Sequence, residues 1–501
     1  MIKHTYKRTF QYFLLTAVCI LFSFNAFADS YQIKLKATSV KDTTMLLAYH
    51  HGHKIFIKDT AVVNKKGVAV FEGDEALPPG IYLGVYPGSN YFEFIVPRES
   101  DAQKFSIEVD TADFVNSMKI KDSKENQVFN DYQRFLSKQS KEIQKLKEEL
   151  KEIPETDKGK QKEKQAAIRE NEKAIFDYRK GLMAEKPDTY TAFLFRSMEE
   201  VTAPNPELEE GEEADPYYSF YYVKNHFWDG FDFADDRIVR TPIFYNKIEK
   251  FLETYTPTHP DSINAAADII LKNPKIDHEL FKYALGYITQ KYQKSKIMGM
   301  EGVFVHLAAN YFLKGKADWL EDKQIKSINE RYQKLRYNLI GMKARNLKME
   351  NMEGEMVSLY DLEASYTLLL FWDYKCGNCK KRMPKMTEMY EKYKDKGFKV
   401  FAVCTQGDHK KWKDYVEGKD LPFTHVIDPK HTTNFRLFYD IYSTPTVYLL
   451  DENKKIVAKR LGEAQFDSML ERFYKEKEKE EGKESNEDKK KGKDKKKGKN
   501  K

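Results

Sequence analysis

Two cysteines separated by two residues, in the stretch "FWDYKCGNCKKRMP", are the side chains of this sequence best suited to chemistry. Such a pair is compatible with a reversible dithiol, with half of a metal site or with chance. A strand that feeds a helix here would put the first sulfur at the helix N-terminus, where unpaired N–H groups and the helix dipole favour a thiolate. Cys376 is then predicted to be the nucleophile. Cys379, one turn further in and more shielded, is predicted to attack the mixed disulfide and release the partner.

The residues around the pair offer less support for its other uses. A zinc site needs two more ligands, and Cys404 with His409 or His425 is the only nearby supply. A cysteine at a strand end, as Cys404 is predicted to be, is more simply a small buried residue. Haem attachment requires a histidine after the second cysteine, where Lys380 stands. We therefore expect neither a metal nor a cofactor.

The start of the chain indicates the compartment in which this dithiol works. A basic segment precedes an apolar run over 10–24, and the run is followed at 26–28 by "AFA", the small-x-small form that signal peptidase cuts. A retained membrane anchor is the alternative, but the run is shorter than the ~20 residues that a span needs. We expect residues 1–28 to be a cleaved signal peptide, Asp29 to be the mature N-terminus, and the protein to lie in the periplasm or cell envelope.

The formal net charge of +7 raises the question of a nucleic-acid partner. Residues 475–501 contain 13 Lys and 8 acidic residues, and the signal peptide adds three positive charges, so the folded body is close to neutral. We therefore expect no nucleic-acid partner. The segment 475–501 has no apolar side chain to bury and is predicted to be a disordered charged tail. Weak surface contact with an anionic lipid or polymer is the one role that its charge suggests.

Two regions with different periodicity precede the cysteine pair. Over 29–115, short alternating runs such as "YQIKLKA" and "KFSIEVD" are split by Gly, Pro and Asn turns, which predicts an antiparallel β-sandwich module. Over 116–336, apolar residues recur at three- and four-residue steps with a break at Pro154, which predicts a helical domain that begins with a helical hairpin. The cluster "HHGH" at 50–53 is predicted to be a β-hairpin tip, because no carboxylate or cysteine accompanies it in the sequence.

Strand and helix alternate over 337–474. The apolar run "TLLLFWDY" leads into the cysteine pair and a helix, and is followed by a strand "FKVFAVCTQ", a helix around Trp412, a strand "TPTVYLL", a hairpin strand "KKIVAKRLG" and a last helix "FDSMLERFY". This order, β-α-β-α-β-β-α, predicts an α/β sandwich with a mixed sheet. The whole chain is therefore predicted to be a multidomain α+β protein.

This C-terminal region resembles the thioredoxin superfamily. The resemblance covers about 337–474 and rests on the Phe-Trp before the pair, on Pro384 in the following helix and on a Thr-Pro-Thr that begins a later strand. The leading hairpin "LKMENMEGEMVSLYDL" is similar to the envelope TlpA/ResA-like branch. The resemblance implies that Pro445 is cis and faces the cysteine pair, and that Trp372, Thr444 and Pro445 form the substrate groove, where Thr444 offers backbone to an incoming chain.

The sequence also departs from the family's pattern. Thioredoxin has a buried Asp where Leu370 stands, and ResA-like proteins have a Glu where Arg382 stands, which argues against cytochrome c maturation as the specific task. A peroxiredoxin would carry a Thr where Asp373 stands. We interpret Asp373 as a supporting residue, either a carboxylate that acts from a different angle or a cap of the turn. Lys380 is expected to add positive potential that favours the thiolate.

These features together predict an exported thiol-disulfide oxidoreductase that exchanges disulfides with envelope proteins and with a membrane electron donor or acceptor. The two leading domains resemble domains of unknown function that precede thioredoxin-like domains in Gram-negative envelope proteins, and we expect them to govern partner access. The alternative is a non-catalytic binding or scaffold protein whose thioredoxin-like domain is vestigial. The presence of both cysteines and of Pro445 argues against that alternative.

Overall fold

The computed structural model describes residues 31–38, 40–88, 90–208 and 212–479. The predicted signal peptide and residues 480–501 of the predicted tail lie outside these ranges. Two compact units make up the chain, and each is described by itself. One contains the residues up to Pro257 with Asp268–Ala284, and the other contains Thr258–Ala267 with the residues from Leu285 onwards. Within the described ranges, every helix is too short or too polar to cross a membrane.

The first unit begins with two four-stranded sheets. Their strands are β1 (Tyr31–Thr38), β2 (Thr44–His51), β3 (Lys54–Val62), β4 (Val68–Gly73), β5 (Gly80–Tyr86), β6 (Asn90–Val96), β7 (Lys104–Asp110) and β8 (Lys119–Lys121). The strand orders are β4-β1-β7-β8 and β3-β2-β5-β6. Every second residue of β1, from Tyr31 to Ala37, enters a core shared with the other sheet, so the predicted β-sandwich is confirmed. One feature differs from the prediction: β1 and β7 are parallel, and the chain between them forms five strands that lie in both sheets.

Helices make up the remainder of the first unit. They are α1 (Phe114–Ser117), α2 (Lys124–Glu152), α3 (Lys158–Glu185), α4 (Tyr190–Met198), α5 (Tyr218–His226) and α6 (Ile243–Thr254), and they are followed by α7 (Pro260–Leu271) and α8 (His278–Gln293), which have residues in both units. The long helices α2 and α3 form the predicted hairpin, and Pro154 lies in the break between them. Tyr132, Leu182 and Phe195 share a small apolar cluster that joins α2, α3 and α4.

The second unit is built on one mixed sheet. Its elements are α9 (Glu301–Asn310), α10 (Asp322–Leu335), β9 (Lys348–Asn351), β10 (Met356–Ser358), β11 (Tyr366–Trp372), α11 (Gly377–Tyr393), β12 (Phe398–Cys404), α12 (His409–Glu417), β13 (Thr424–Ile427), α13 (Phe435–Phe438), β14 (Thr446–Asp451), β15 (Ile456–Lys459) and α14, described over 463–479. The strand order is β10-β9-β13-β12-β11-β14-β15. Strand β11 is parallel to β12 and antiparallel to β14, as a mixed sheet requires.

The central strand β11 explains the apolar run that leads into the cysteine pair. Leu368 and Leu370 enter the core on one face of the sheet, and Leu369 and Phe371 enter the core on the other. A strand covered on both faces is apolar on both, and this is why Leu368–Trp372 do not alternate between apolar and polar. The strand ends at the loop that carries the cysteines.

The structure corrects two predictions about this unit. The short elements β13 and α13 are additions to the predicted order, because four residues are too few to show a clear period. The charged tail was predicted to begin at residue 475, but α14 continues through 479. Ion pairs support these extra residues: Lys475 contacts Glu471 at 2.7 Å one turn away, and Glu478 contacts Lys396 at 2.9 Å.

Candidate active site

Cys376 occupies the N-cap position of helix α11, where the chain turns from β11 into the helix. Its Sγ accepts a hydrogen bond from the backbone N–H of Cys379 at 3.2 Å and donates one to the carbonyl oxygen of Thr444 at 3.2 Å. The sulfur therefore takes the place of a capping side chain, in front of the unpaired N–H groups and the positive end of the helix dipole. A thiolate at this position is stabilised by the helix itself.

The two sulfurs of the pair differ in exposure and acidity. Partial burial raises the pKa of Cys376, but hydrogen bonds with the Thr444 side chain, with Cys379 and with the N–H of Asn378 outweigh it and leave the pKa below its ordinary value. Cys379 is 1% exposed, and burial, with the hydrogen bond to Cys376, raises its pKa well above the ordinary value. Of the two thiols, Cys376 is therefore the one that ionises first as pH rises. This is the division that a nucleophile and a resolving thiol require.

A cis peptide bond joins Thr444 and Pro445 immediately before β14. Strand β14 is the antiparallel neighbour of β11, with Thr446 opposite Phe371, so the proline loop and the cysteine loop lie at the same edge of the sheet. The cis bond is the one that the resemblance implies, and the Thr444 carbonyl oxygen lies 3.2 Å from Sγ of Cys376. Pro445 lies on the wall of an adjacent cleft.

The structure does not support a place for Trp372 in the substrate groove. The side chain is 0% exposed and lies in the core on the α11 face of the sheet. Its ring centroid is 5.8 Å from that of Tyr415 and 5.7 Å from that of His425. Trp372 is the last residue of β11, and the alternation of the strand directs it inward. The prediction that it lines the groove is therefore wrong, and its contribution is to pack beneath the cysteine loop.

Asp373 fixes the turn that precedes Cys376. One carboxylate oxygen accepts the backbone N–H of Lys375 at 2.7 Å, and the other accepts Nε2 of Gln406 at 2.9 Å. These contacts match the turn-capping interpretation of this residue. Lys380 is exposed on α11, with its ammonium group 5.6 Å from the centroid of the Tyr415 ring.

The nearby ligand candidates do not gather into a metal site. Burial raises the pKa of Cys404 to about 12, which describes an inert, buried thiol. His425 is 3% exposed, and burial lowers its pKa to about 4. Across the described ranges, no three metal-ligating side chains come together. The "HHGH" segment lies where β2 turns into β3, with His51 opposite Lys54, so the predicted hairpin tip is confirmed.

Sequence reasoning missed one carboxylate close to the site. Glu463, at the start of α14, is 15% exposed and accepts a hydrogen bond from Nε of Arg382. Arg382 also donates to the carbonyl oxygen of Leu461 at 3.3 Å. The sequence position that carries a Glu in ResA-like proteins therefore holds an arginine that contacts an acidic residue from another element. No local pattern could have revealed this, because the two residues are 81 positions apart.

Three families match successive parts of the chain. The AhpC/TSA family matches residues 340–459, the part that contains the cysteine pair and the proline loop. Two domains of unknown function match the regions before it: DUF4369 over 31–129 and DUF5106 over 212–338.

Relatives of the C-terminal part are thiol-disulfide oxidoreductases. ResA of a Bacillus cereus strain is 36% identical over 124 residues, which are 25% of this chain and 70% of that protein. ResA of Bacillus thuringiensis subsp. konkukian is 32% identical over 136 residues, which are 27% of this chain and 77% of that protein. Among solved structures, a domain of a possible thiol-disulfide isomerase from Cytophaga hutchinsonii is 38% identical. It covers 28% of this chain and 97% of that one, with a TM-score of 0.27.

Proposed function

This chain belongs to the thioredoxin superfamily of thiol-disulfide oxidoreductases and carries extra N-terminal domains, and we propose that it is an exported member that exchanges disulfides with envelope proteins through Cys376 and Cys379. One observation carries the proposal. A partly exposed thiol of lowered pKa caps a helix directly beside a buried thiol of raised pKa. Two neighbouring groups whose pKa values are shifted in opposite directions are typical of a reactive site.

The reaction follows from this asymmetry. The Cys376 thiolate attacks one sulfur of a substrate disulfide, a mixed disulfide forms, and the other substrate sulfur leaves as a thiolate. Cys379 then loses its proton and attacks the sulfur of Cys376, which releases the second substrate thiolate and closes the Cys376–Cys379 disulfide. The substrate gains two electrons, and two protons from solvent complete its thiols. The same steps in reverse oxidise a substrate dithiol.

The proline loop positions the substrate in this proposal. Proline has no N–H, so the backbone groups of Thr444 are the ones available to an extended chain at this edge. The Thr444 carbonyl already lies 3.2 Å from the Cys376 sulfur. A substrate strand that pairs with Thr444 would therefore carry its own sulfur past Cys376.

A second redox partner is needed to complete a cycle. Each turnover leaves the cysteine pair in the opposite redox state, and a dithiol outside the cytoplasm has no access to cytoplasmic thioredoxin. We assign the resetting step to a membrane electron donor or acceptor. The predicted cleavage after residue 28 would put the protein on the correct side for that partner, and sequencing of the mature N-terminus should give Asp29 in the envelope fraction. Full-length protein recovered from the cytoplasm would contradict this location.

Trapping in the native envelope tests the exchange reaction. The Cys379→Ser protein can form the mixed disulfide but cannot resolve it, so it should accumulate adducts that run at higher mass and disappear on treatment with dithiothreitol. Cys376→Ser is the matched control, because it removes the nucleophile and should give no adducts. Equal adducts from both variants, or none from Cys379→Ser, would favour the scaffold alternative.

A further inference from the structure

A cleft of about 190 Å³ opens beside the proline loop. Its wall includes Pro445 from the loop, Tyr442 and Asp440 from the segment before it, Arg460 after β15 and Arg382 from α11. These five residues, together with Arg331 of α10, which contacts the Asp440 carboxylate and the Tyr442 hydroxyl, are called the arginine cleft below. The cleft shares the proline loop with the active site and contributes no residue to the chemistry described above.

A single buried carboxylate holds two guanidinium groups at this cleft. The Asp440 side chain is 1% exposed, and its Oδ2 accepts hydrogen bonds from Nη1 of Arg331 at 2.9 Å and from Nη2 of Arg460 at 2.6 Å. The side chains of Arg331 and Arg460 are 34% and 38% exposed. Each guanidinium has five N–H donors, and one carboxylate cannot accept hydrogen bonds from all of them. Both arginines therefore keep N–H groups that can bind another acceptor. The pair retains one uncompensated positive charge.

The other charges around the cleft preserve this excess. Arg382 contacts Glu463, which balances it, and Lys334 lies 4.9 Å from the centroid of the Tyr442 ring at the rim. Three guanidinium groups therefore face two carboxylates, the ion pair of Lys459 with Glu301 beside Arg460 adds no net charge, and the Lys334 ammonium group lies nearby. The cleft is positive, partly desolvated and lined with fixed planar donors, which is the environment that binds a carboxylate by paired hydrogen bonds.

We propose that the arginine cleft binds an acidic side chain of the substrate polypeptide. This inference rests on the proposed function, because the cleft borders the loop on which the substrate strand would lie. The Thr444 carbonyl lies 3.2 Å from the Cys376 sulfur and the next residue, Pro445, lines the cleft, so the acidic residue would stand within a few positions of the cysteine that Cys376 attacks. Arg331 belongs to α10, in the region that matches DUF5106, so the helical region before the thioredoxin-like domain would contribute to substrate choice.

Peptide binding to the full chain tests the cleft without requiring turnover. The probes are two fluorescent substrate peptides in which serine replaces the reactive cysteine. They differ at one residue, two positions from that serine, which is Glu in one peptide and Gln in the other. In fluorescence anisotropy at low salt, the Glu peptide should bind about tenfold tighter, the magnitude of one charge-assisted hydrogen bond that is partly exposed. High salt should reduce this ratio, because the cleft is open to solvent.

Substitutions in the cleft show whether its arginines cause the tighter binding of the Glu peptide. Arg382→Gln and Arg331→Gln should each lower the Glu/Gln ratio to about threefold or less, since each removes one positive charge from the cleft. Arg382→Gln leaves the contact of Asp440 with Arg460 in place, so it tests the cleft even if Arg331→Gln perturbs folding. Arg472→Gln is the matched control, because this exposed arginine lies on α14 and contacts Glu476 at 3.8 Å. It should keep the full ratio.

The outcomes separate the cleft from the proposed function. Equal binding of the two peptides by the wild type, or a ratio unchanged in both cleft variants, overturns the inference. Disulfide peptides of the same two sequences report turnover. A protein that prefers the Glu peptide but reduces neither would support the cleft and contradict the proposed function. A protein that reduces both while binding both equally would contradict the cleft alone.

Discussion

The hairpin tip with its histidines at 50–53 and the loop with Cys376 and Cys379 are two places where reactive side chains crowd into four residues. At the tip, each imidazole contacts another side chain of the first unit. His50 Nε2 lies 3.0 Å from Oε1 of Glu93, and the other two rings contact the Tyr283 side chain. At the loop, the sulfur of Cys376 is partly exposed and its partners are mainly backbone groups of a helix end.

The difference shows what makes a cluster of reactive residues into a site. The tip uses its imidazoles for packing and hydrogen bonds, and burial lowers the pKa of His51, which keeps it neutral. The loop leaves one sulfur partly exposed and lowers its pKa through fixed dipoles. The density of candidate ligands is similar in the two segments, but only the loop combines access with a stabilised charged form.

Substitution of the two clusters should give the largest contrast. Cys376→Ser should lower the rate of insulin reduction by at least about a thousandfold, because a hydroxyl cannot replace a thiolate nucleophile. His51→Gln, at the tip, should keep the rate within about twofold of wild type. Insulin turbidity with dithiothreitol as the reductant measures both.

Cys404→Ser is a second control for this experiment. Its buried thiol of raised pKa should be dispensable, and the rate should stay within about twofold of wild type. If Cys404→Ser is as inactive as Cys376→Ser, a relay of three cysteines replaces the simple pair. A tip variant that loses activity would contradict the contrast between the two clusters.

The pH dependence of resolution should give the next largest effect. The pKa of Cys379 lies well above neutral, so its thiolate fraction should rise about tenfold per pH unit between pH 7 and 9, and decay of the mixed disulfide should follow. Attack by Cys376, whose pKa is lowered, should depend on pH less than this decay does. Stopped-flow or acid-quench time courses separate the two steps.

Asp373→Asn shows whether a base assists this step. A decay independent of pH in the wild type, with pH dependence that returns in Asp373→Asn, would identify Asp373 as the base. The hydrogen bonds of Asp373 to Lys375 and Gln406 argue instead for a fixed cap. With a cap alone, Asp373→Asn should leave the slope of the pH profile unchanged.

The sequence predicts the fold wherever a pattern is long enough to show its period. The alternation in β1, the helical steps of α2 and α3 and the apolar run of β11 all lead to correct elements. The four-residue strand β13 and the parallel pairing of β1 with β7 could not be predicted, because the first is too short and the second joins strands that five others separate along the chain.

The site residues, too, could be predicted only where they belong to a contiguous motif. The cysteine pair and the proline loop are contiguous motifs, and the structure brings Thr444 within hydrogen-bonding distance of Cys376. Trp372 was misplaced because a motif does not show to which side of a strand a residue points. Glu463 was missed because it reaches Arg382 only after the sheet and α14 have formed.

Glycines in the two clusters should differ in their effect on stability. Gly52 at the tip has φ +59°, and a Cβ added there would lie 1.8 Å from the hydroxyl oxygen of Tyr283. Gly52→Ala should therefore lower the free energy of unfolding by about 2 to 3 kcal/mol, through left-handed strain and overpacking. A Cβ on Gly377 would have no described heavy atom within 4 Å. Gly377→Ala should therefore change the free energy of unfolding by less than about 0.5 kcal/mol. Calorimetry of both variants measures this, and equal shifts would contradict the packed tip.

Acid should destabilise the sheet beneath the cysteine loop through His425. Burial lowers its pKa from 6.5 to about 4, so between these pH values the unfolded chain binds a proton that the folded chain does not. Stability therefore rises with pH through this window and is lost as pH falls below 6.5, by about 2 kcal/mol at pH 5. His425→Phe should remove this part of the loss, because phenylalanine cannot be protonated.

His51 is the comparison at the tip. Burial lowers its pKa too, with Glu279 opposing and Arg240, Lys282 and Lys54 assisting. Because His51 is only partly buried and His425 is 3% exposed, His51→Phe should reduce the acid sensitivity less than His425→Phe. Calorimetric unfolding of the wild type and both variants at pH 7 and pH 5 measures how much stability each protein loses between the two pH values. An unchanged pH slope in His425→Phe would mean that this imidazole is already protonated or reached by water in the folded protein. A larger change in His51→Phe would mean that the tip, and not the sheet beneath the cysteines, is the acid-sensitive region.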